Sequence, residues 1–192
     1  MQDKRALTQW EKSEISYQNY SHYIESKPLK FDLSIIDLFY IKNFKGGSAT
    51  INEREKIVSK KLTSYSEILK KIDSEFNGKN LNELTDPELS NLINLAKEGL
   101  GLVKPKSNTK IDGFSFSFLT TLLHFHFPKL LPILDRRVLN GLKMLKESDL
   151  DTQKQVKNLE SFYPELIKAF KQKTSDKTIR ELDKELFTIK FN

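Results

Sequence analysis

An all-α fold follows from three features of this sequence. Apolar residues recur at intervals of three and four through most of its 192 positions. Each such stretch is bounded by a capping residue or by a Gly or Pro break. No segment alternates apolar with polar residues in the manner of a half-buried strand, and no internal repeat or low-complexity tract interrupts the pattern.

Taken in order, residues 5–25 read as one or two helices bearing Trp10, Tyr17, Tyr20 and Tyr23. The three-residue spacing of the tyrosines sets them along one face, read as core before nucleic-acid platform. "KPLKFD" is a connector in which Asp32 is the expected N-cap of "LSIIDLFYIKNF". "KGG" at 45–47 stops that helix, and "SATIN" crosses to a long polar helix over about 53–76, ended by "NGK". In "LTDPELSNLINLAKEGLGL", Thr85 or Asp86 is the cap and Pro87 lies in the first turn. "VKPKSNTK" is an exposed basic connector, and "DGFS" turns into a strongly apolar helix over about 115–127. After "PKLLP" a helix starts at Asp135. Two amphipathic helices, about 152–173 and 176–188, complete the chain.

Composition narrows the chemistry. Thirteen Phe and six Tyr supply volume for a core at 38% hydrophobic content. The absence of cysteine excludes disulfides, thiol nucleophiles and iron–sulfur clusters. No apolar run approaches the roughly 18–20 residues of a membrane span, and "MQDKRALTQWEK" lacks the apolar centre of a signal peptide. A cytoplasmic protein without membrane contact is therefore expected. His124 and His126 stand two apart and point to different sides of a helix, a poor metal pair, so neither metal nor other cofactor is expected. "KGGSAT" lacks the Lys-Ser/Thr ending of a phosphate loop and reads as a turn.

The net charge of +6 is concentrated. Residues 1–100 carry 15 bases and 15 acids. Residues 104–146 hold eight bases (Lys104, Lys106, Lys110, Lys129, Arg136, Arg137, Lys143, Lys146) against Asp112 and Asp135, the whole excess. Such a stripe is an electrostatic footprint for a polyanion, a solvated face being the plain alternative. Within it Asp135 stands before two arginines. An aspartate at a helix start is ordinarily an N-cap, but here it follows a glycine turn and an apolar helix.

The stretch "IDGFSFSFLT…PILDRRVLNGL" resembles the core of the helix-hairpin-helix DNA glycosylase superfamily, the group containing endonuclease III, the adenine glycosylase and the 8-oxoguanine glycosylase. Its hairpin of the type "LPGVGxKTA" is matched by "IDGFSFSFLT", and its "VDTHVxRVxxRL" segment by "LDRRVLNGL". Upstream, "LTDPELSNLINLAKEGLGL" and "FYIKNFKGGSATINEREKIVSKKL" are similar to the helices that precede the hairpin in that family. The likeness spans about residues 33–145, with 111–142 its specific part. Ser115 replaces the second hairpin glycine, Arg-Arg replaces the usual Thr-His after the aspartate, and Ser117 stands where the lyase members carry lysine.

The resemblance implies a single two-lobed helical unit with duplex DNA in the cleft between lobes. Residues 33–103 would form a lobe with a wedge loop, 104–146 the hairpin and aspartate segment, and 1–32 with 147–192 the rest. It implies a monomeric, monofunctional glycosylase that hydrolyses the N-glycosidic bond of a flipped-out base, in repair or in defence against phage DNA with modified bases. Asp135 would be the catalytic carboxylate, stabilising an oxocarbenium-like transition state and orienting water. Gly113, Ser115, Lys104, Lys106, Lys110, Arg136 and Arg137 would hold DNA phosphates. Gly46, Gly47, Ser48 and Asn52 would form the wedge, and Trp10, Tyr40, Phe44 and Phe118 are the candidate base pocket. Lys42 and Lys45 are the alternative lyase nucleophiles. Two rival expectations are a non-catalytic helix-hairpin-helix DNA-binding module and a helical protein that meets an acidic protein partner.

Overall fold

The structure, a computed structural model, describes residues 2–47 and 50–190. Among these are eight α-helices and three short 3-10 turns, with β pairing confined to isolated bridges at Gln2–Ile189 and Leu150–Val156. The all-α expectation holds, and none of the helices is long and apolar enough to cross a membrane.

Helix α1 (Lys4–Ser26) starts at Asp3, whose carboxylate accepts from the backbone N–H groups of Arg5 and Ala6. It stops at Lys27, extended before Pro28 because proline disfavours the helical region for its predecessor. Helix α2 (Ile35–Phe44) is capped by Ser34 in a reciprocal box with Asp37, not by Asp32 as expected. Asp32 instead makes an exposed ion pair with Lys70. Asp37 is fully buried and also binds Lys27 Nζ and Tyr20 Oη, both at 3.1 Å, which fastens α2 to α1. A buried pair of this kind survives only when its remaining lone pairs are satisfied, and here four groups share one carboxylate.

Helix α3 (Glu55–Phe76) buries Val58, Leu62, Tyr65, Leu69, Ile72 and Phe76, a stripe at helical spacing, against α4 (Asp86–Leu102). Thr85 and Glu88 form the start of α4 as a capping box. Helix α5 (Phe116–His126) is buried from Leu119 onward, as its nearly continuous apolar sequence requires. Helix α6 (Arg136–Gly141) packs on α8 (Ile179–Phe187) so closely that a Cβ on Gly141 would lie 2.6 Å from the Leu186 carbonyl oxygen. Helix α7 (Tyr163–Lys173) touches both α4 and α8, and the Asp3 N–H to Thr188 carbonyl bond joins the two ends of the chain.

One expected helix is shorter. Residues 152–158 form turns, and α7 begins only at Tyr163, with Pro164 in its first turn. The Asp151 carboxylate accepts from the N–H groups of Gln153 and Gln155, a local turn that competes with the helix, and "DTQKQVKN" has one apolar residue to bury.

Candidate active site

Asp135 is reached through a buried segment without regular structure. Leu130, Leu131, Ile133 and Leu134 are core residues, so the backbone between them needs partners. Side chains supply them. His124 Nδ1 donates to the Leu131 carbonyl at 2.8 Å, the Thr120 hydroxyl accepts from Leu134 N–H at 3.0 Å, and the Tyr163 hydroxyl donates to the Pro132 carbonyl at 3.0 Å. The segment is thereby fixed on α5 and α7, and Asp135 with it.

The two oxygens of Asp135 have different tasks. Oδ1 accepts from the Arg137 N–H at 2.8 Å and caps α6, as expected. Oδ2 accepts from Lys45 Nζ at 3.0 Å, and the two side chains retain 17% (Lys45) and 22% (Asp135) exposure. Burial raises the Asp135 carboxyl, but the Lys45 ammonium, the Arg137 N–H and the Arg137 guanidinium together outweigh it. The net displacement is downward, so Asp135 is an anion at neutral pH.

Asp135 opens on a cleft of about 570 Å³. Helix α1 contributes Gln9, Trp10, Ser13 and Ser16 from one face, and the end of α2 contributes Asn43, Phe44, Lys45, Gly46 and Gly47. Ile133 lies beside Asp135, while α8 supplies Asp183 and Phe187. Gly46 and Gly47 have φ of 85° and 70°, and nothing would meet a Cβ at either, so backbone conformation rather than crowding makes glycine the fitting residue. Their turn is closed by Gly47 N–H on the Lys42 carbonyl at 2.7 Å.

Asp183 is 3% exposed. Its Oδ2 stands 3.5 Å from Arg180 Nη1, and its Oδ1 is buried without a hydrogen-bond partner. Burial drives this carboxyl up most strongly. Arg180 opposes, Asp135 adds to the rise and Lys45 subtracts, leaving it at about 7. The Arg180 guanidinium lies 3.8 Å from the Trp10 ring centroid and 4.2 Å from that of Tyr17, and donates to Glu14 Oε2 at 3.0 Å. Trp10 also meets Phe187 at 5.6 Å between centroids, so the apolar wall of the cleft is rigidly backed.

The expected site residues separate into two groups. Trp10, Phe44, Gly46, Gly47 and Asp135 converge on the cleft. Ser48 lies outside the described residues, and Asn52 is exposed before α3. Tyr40 and Phe118 are not on the cleft. Tyr40 stacks on Tyr20 and Tyr23 at 5.2 and 5.0 Å, and Phe118 packs on Phe114 at 5.8 Å, so both serve the core. Ser117 sits in the first turn of α5, where its carbonyl accepts from the Thr120 and Thr121 hydroxyls. The lysine at the aspartate is Lys45.

The basic stripe divides as well. Lys104 and Lys106 are exposed on turns after α4. The Lys110 carbonyl accepts from Lys61 Nζ at 2.6 Å, and Arg136 donates to the Lys154 carbonyl. Arg137 pairs with Asp3 at 3.1 Å and lies over the Phe187 ring. Gly113 has φ of 78°, and a Cβ there would sit 1.8 Å from the Thr50 carbonyl oxygen, so its turn is pressed onto the Thr50 backbone. Ser115 follows as the N-cap of α5, and the turn is preceded by further turns, α4 having ended at Leu102.

Asp183 and Arg180 escaped the sequence reading. A usable signal existed: Asp183 shares the 179, 182, 183, 186 stripe of α8 with Ile179, Leu182 and Leu186, where an acid is out of place. No protein-family model, curated protein or solved structure matches the chain. The functional reading therefore rests on the chemistry of the cleft.

Proposed function

We propose that this protein is a DNA glycosylase that hydrolyses the N-glycosidic bond of a nucleotide flipped out of duplex DNA, leaving an abasic site. The observation that carries the reading is the Asp135–Lys45 pair at the mouth of a cleft walled by Trp10, Phe44 and Phe187. The cleft lies within the roughly 300–1,000 Å³ usual for small-molecule sites. A flipped base would enter between the aromatic walls, and its sugar would come to rest beside Asp135.

Bond cleavage develops positive charge on the deoxyribose. A fixed anion next to C1′ stabilises that charge and directs water, an effect typically worth roughly 10²–10³ in rate. Lys45 and the Arg137 N–H keep Asp135 ionised while leaving it in contact with the cleft. In this reading duplex DNA spans two helical lobes, with the exposed Lys104 and Lys106 and the Gly113 turn on its phosphates. The protein acts as a cytoplasmic monomer, in repair or in defence against modified phage DNA. It is monofunctional, because Ser117 stands at the lyase position and Lys45 is committed to its ion pair with Asp135.

The alternative is a non-catalytic DNA-binding module, and the cap bond from Asp135 to Arg137 N–H favours it, since that bond alone accounts for an aspartate here. Mass spectrometry of free bases separates the two. Damaged DNA and phage DNA with modified cytosines are treated with wild-type and Asp135→Asn protein. A base released by the wild type and not by the variant supports glycosylase action. Salt-sensitive binding without any release supports the module.

A further inference from the structure

We infer that Asp183 is the proton donor to the departing base, and that the substrate is accordingly an uncharged nucleobase rather than a cationic alkylated one. This rests on the glycosylase reading of the cleft. Asp183 lines the same cavity as Asp135, is almost wholly buried, and keeps Oδ1 without a partner among protein groups. Buried polar atoms are nearly always satisfied, so an orphan carboxyl oxygen on a residue that lines the cavity is a candidate partner for a ligand donor or acceptor.

Two acids in one cleft do not have one chemistry. Asp135 is exposed by a fifth, capped and paired with an ammonium, and it is held ionised. Asp183 lies deeper on α8, with its partner Arg180 at 3.5 Å already engaged by Glu14 and by the Trp10 and Tyr17 rings. The titratable and charged groups around it are Arg180 on its own helix, Glu14 and Tyr17 of α1, and His124 of α5 against Tyr17. Lys45 at the end of α2, Asp135 with Arg137 at the start of α6, and Lys12 of α1 on the same cleft stand with them. The Asp135 anion opposes a second negative charge, and burial does so more strongly, so Asp183 sits at about 7 and is half protonated near neutrality. Environments that push two carboxyls apart set one as acid and the other as charge stabiliser.

The C1′–N bond breaks with its electron pair leaving on the base, and Asp183 gives its proton to a ring nitrogen or carbonyl oxygen of that base. Water bonds to C1′ and releases one proton to solvent, from which Asp183 is reprotonated. A cationic alkylated base departs neutral without this help. An uncharged base departs as an anion unless it is protonated, which is why a buried acid is useful only for the second class.

The test uses the full chain in single-turnover base release from DNAs carrying oxidised, bulky modified or 7-methylated bases, across pH 5 to 9. Wild type, Asp183→Asn and Asp183→Glu are compared. Carboxyl NMR of aspartate-labelled protein is recorded in parallel, so that the titration is read without any substrate. The inference expects release of uncharged bases that declines above about pH 7, with Asp183→Asn slower by roughly 10²–10⁴-fold and lacking that decline. Asp183→Glu should recover part of the rate. One aspartate should titrate near neutrality, vanish in Asp183→Asn, and move down in Asp135→Asn. If Asp183→Asn stays within threefold of wild type, or only 7-methylguanine is released, the acid role falls while the glycosylase reading stands. If no aspartate titrates above pH 5, the acid role falls whatever the activity. No release from any DNA overturns both.

Discussion

Lys45 Nζ and Asp135 Oδ2 meet at 3.0 Å across 90 residues of sequence, the one at the C-cap of α2 and the other at the N-cap of α6. Each helix end is otherwise polarised in the sense that favours the charge placed there: a cation at a C-terminus and an anion at an N-terminus. The pair therefore fits its two helices before any substrate is considered. Replacing Lys45 with Met removes the ammonium and leaves burial as the strongest influence on Asp135, so its carboxyl rises. Base release should fall by on the order of 10²-fold, and the acid limb of its pH profile should move to higher pH. Lys45→Arg should retain most of the activity. An unchanged acid limb in Lys45→Met would show that the pair does not control Asp135.

The same contact bears on lyase chemistry. An amine that forms a Schiff base must be deprotonated, and Lys45 is ion-paired instead. Borohydride added to wild-type protein and substrate DNA should trap no covalent adduct. An adduct that disappears in Lys45→Arg would make the protein a bifunctional glycosylase and Lys45 its nucleophile.

The buried ionisable groups predict how stability depends on pH. His124 is lowered to about 4 and His126 to about 3, chiefly by burial, so both stay neutral in the fold while the unfolded chain protonates them below about 6.5. Asp183 works in the opposite sense, carrying a proton in the fold up to about 7 that the unfolded chain releases near 4. Between pH 6 and 4.5 the unfolded state thus binds one proton more from these three groups, and stability falls with falling pH by about 1.4 kcal/mol per unit. In Asp183→Asn the histidines act alone, and the fall should steepen to about 2.7 kcal/mol per unit. Denaturant titrations at half-unit pH intervals measure both slopes. Equal slopes in the two proteins would place Asp183 as an ordinary ionised acid.

Gly113 offers a structural test of the turn before α5. Its φ of 78° disfavours any side chain, and the added methyl of Gly113→Ala would overlap the Thr50 carbonyl. The conformational part alone is worth roughly 1–2 kcal/mol, and relief of the overlap must displace the Thr50 backbone. Thermal melting should show the loss of stability, and DNA affinity should fall with it if both segments meet phosphates.

Much of this architecture was legible because local rules and packing agreed. Thr85 and Pro87 announced α4, and Gly46 with Gly47 announced the end of α2. The failures have physical causes. Ser34 outcompeted Asp32 because Asp37 lay three residues on, ready to return the bond to the cap backbone. Residues 152–158 lack the apolar partners that would hold a helix there, and Asp151 stabilised a turn instead. At the site, Asp135 was visible from its neighbours in sequence. Lys45 was named only as an alternative lyase nucleophile and Asp183 not at all, since they reach the cleft from 90 residues upstream and 48 downstream, and only the packing of α1, α2 and α8 brings them in. Tyr40 and Phe118 illustrate the converse, aromatics whose chemistry suited a pocket and whose helix face points to the core.

The structure divides the basic stripe into residues that composition treats as equal. Lys104 and Lys106 are exposed on turns after α4, available to neutralise phosphates. Arg137 is committed to Asp3 and to the Phe187 ring, and its guanidinium helps hold Asp135 down. Counterion release scales with the number of phosphates neutralised, at about 0.9 per contact in a plot of log K against log salt. Lys104→Gln with Lys106→Gln should therefore reduce the slope by about two and weaken binding uniformly across sequences. Arg137→Gln should leave the slope unchanged and lower the thermal midpoint instead, since what it loses is internal. Fluorescence anisotropy on one duplex from 50 to 300 mM salt, with melting curves beside it, reads both effects. A slope reduced by Arg137→Gln and not by the lysine pair would place the DNA on the α6 face, away from the turns after α4.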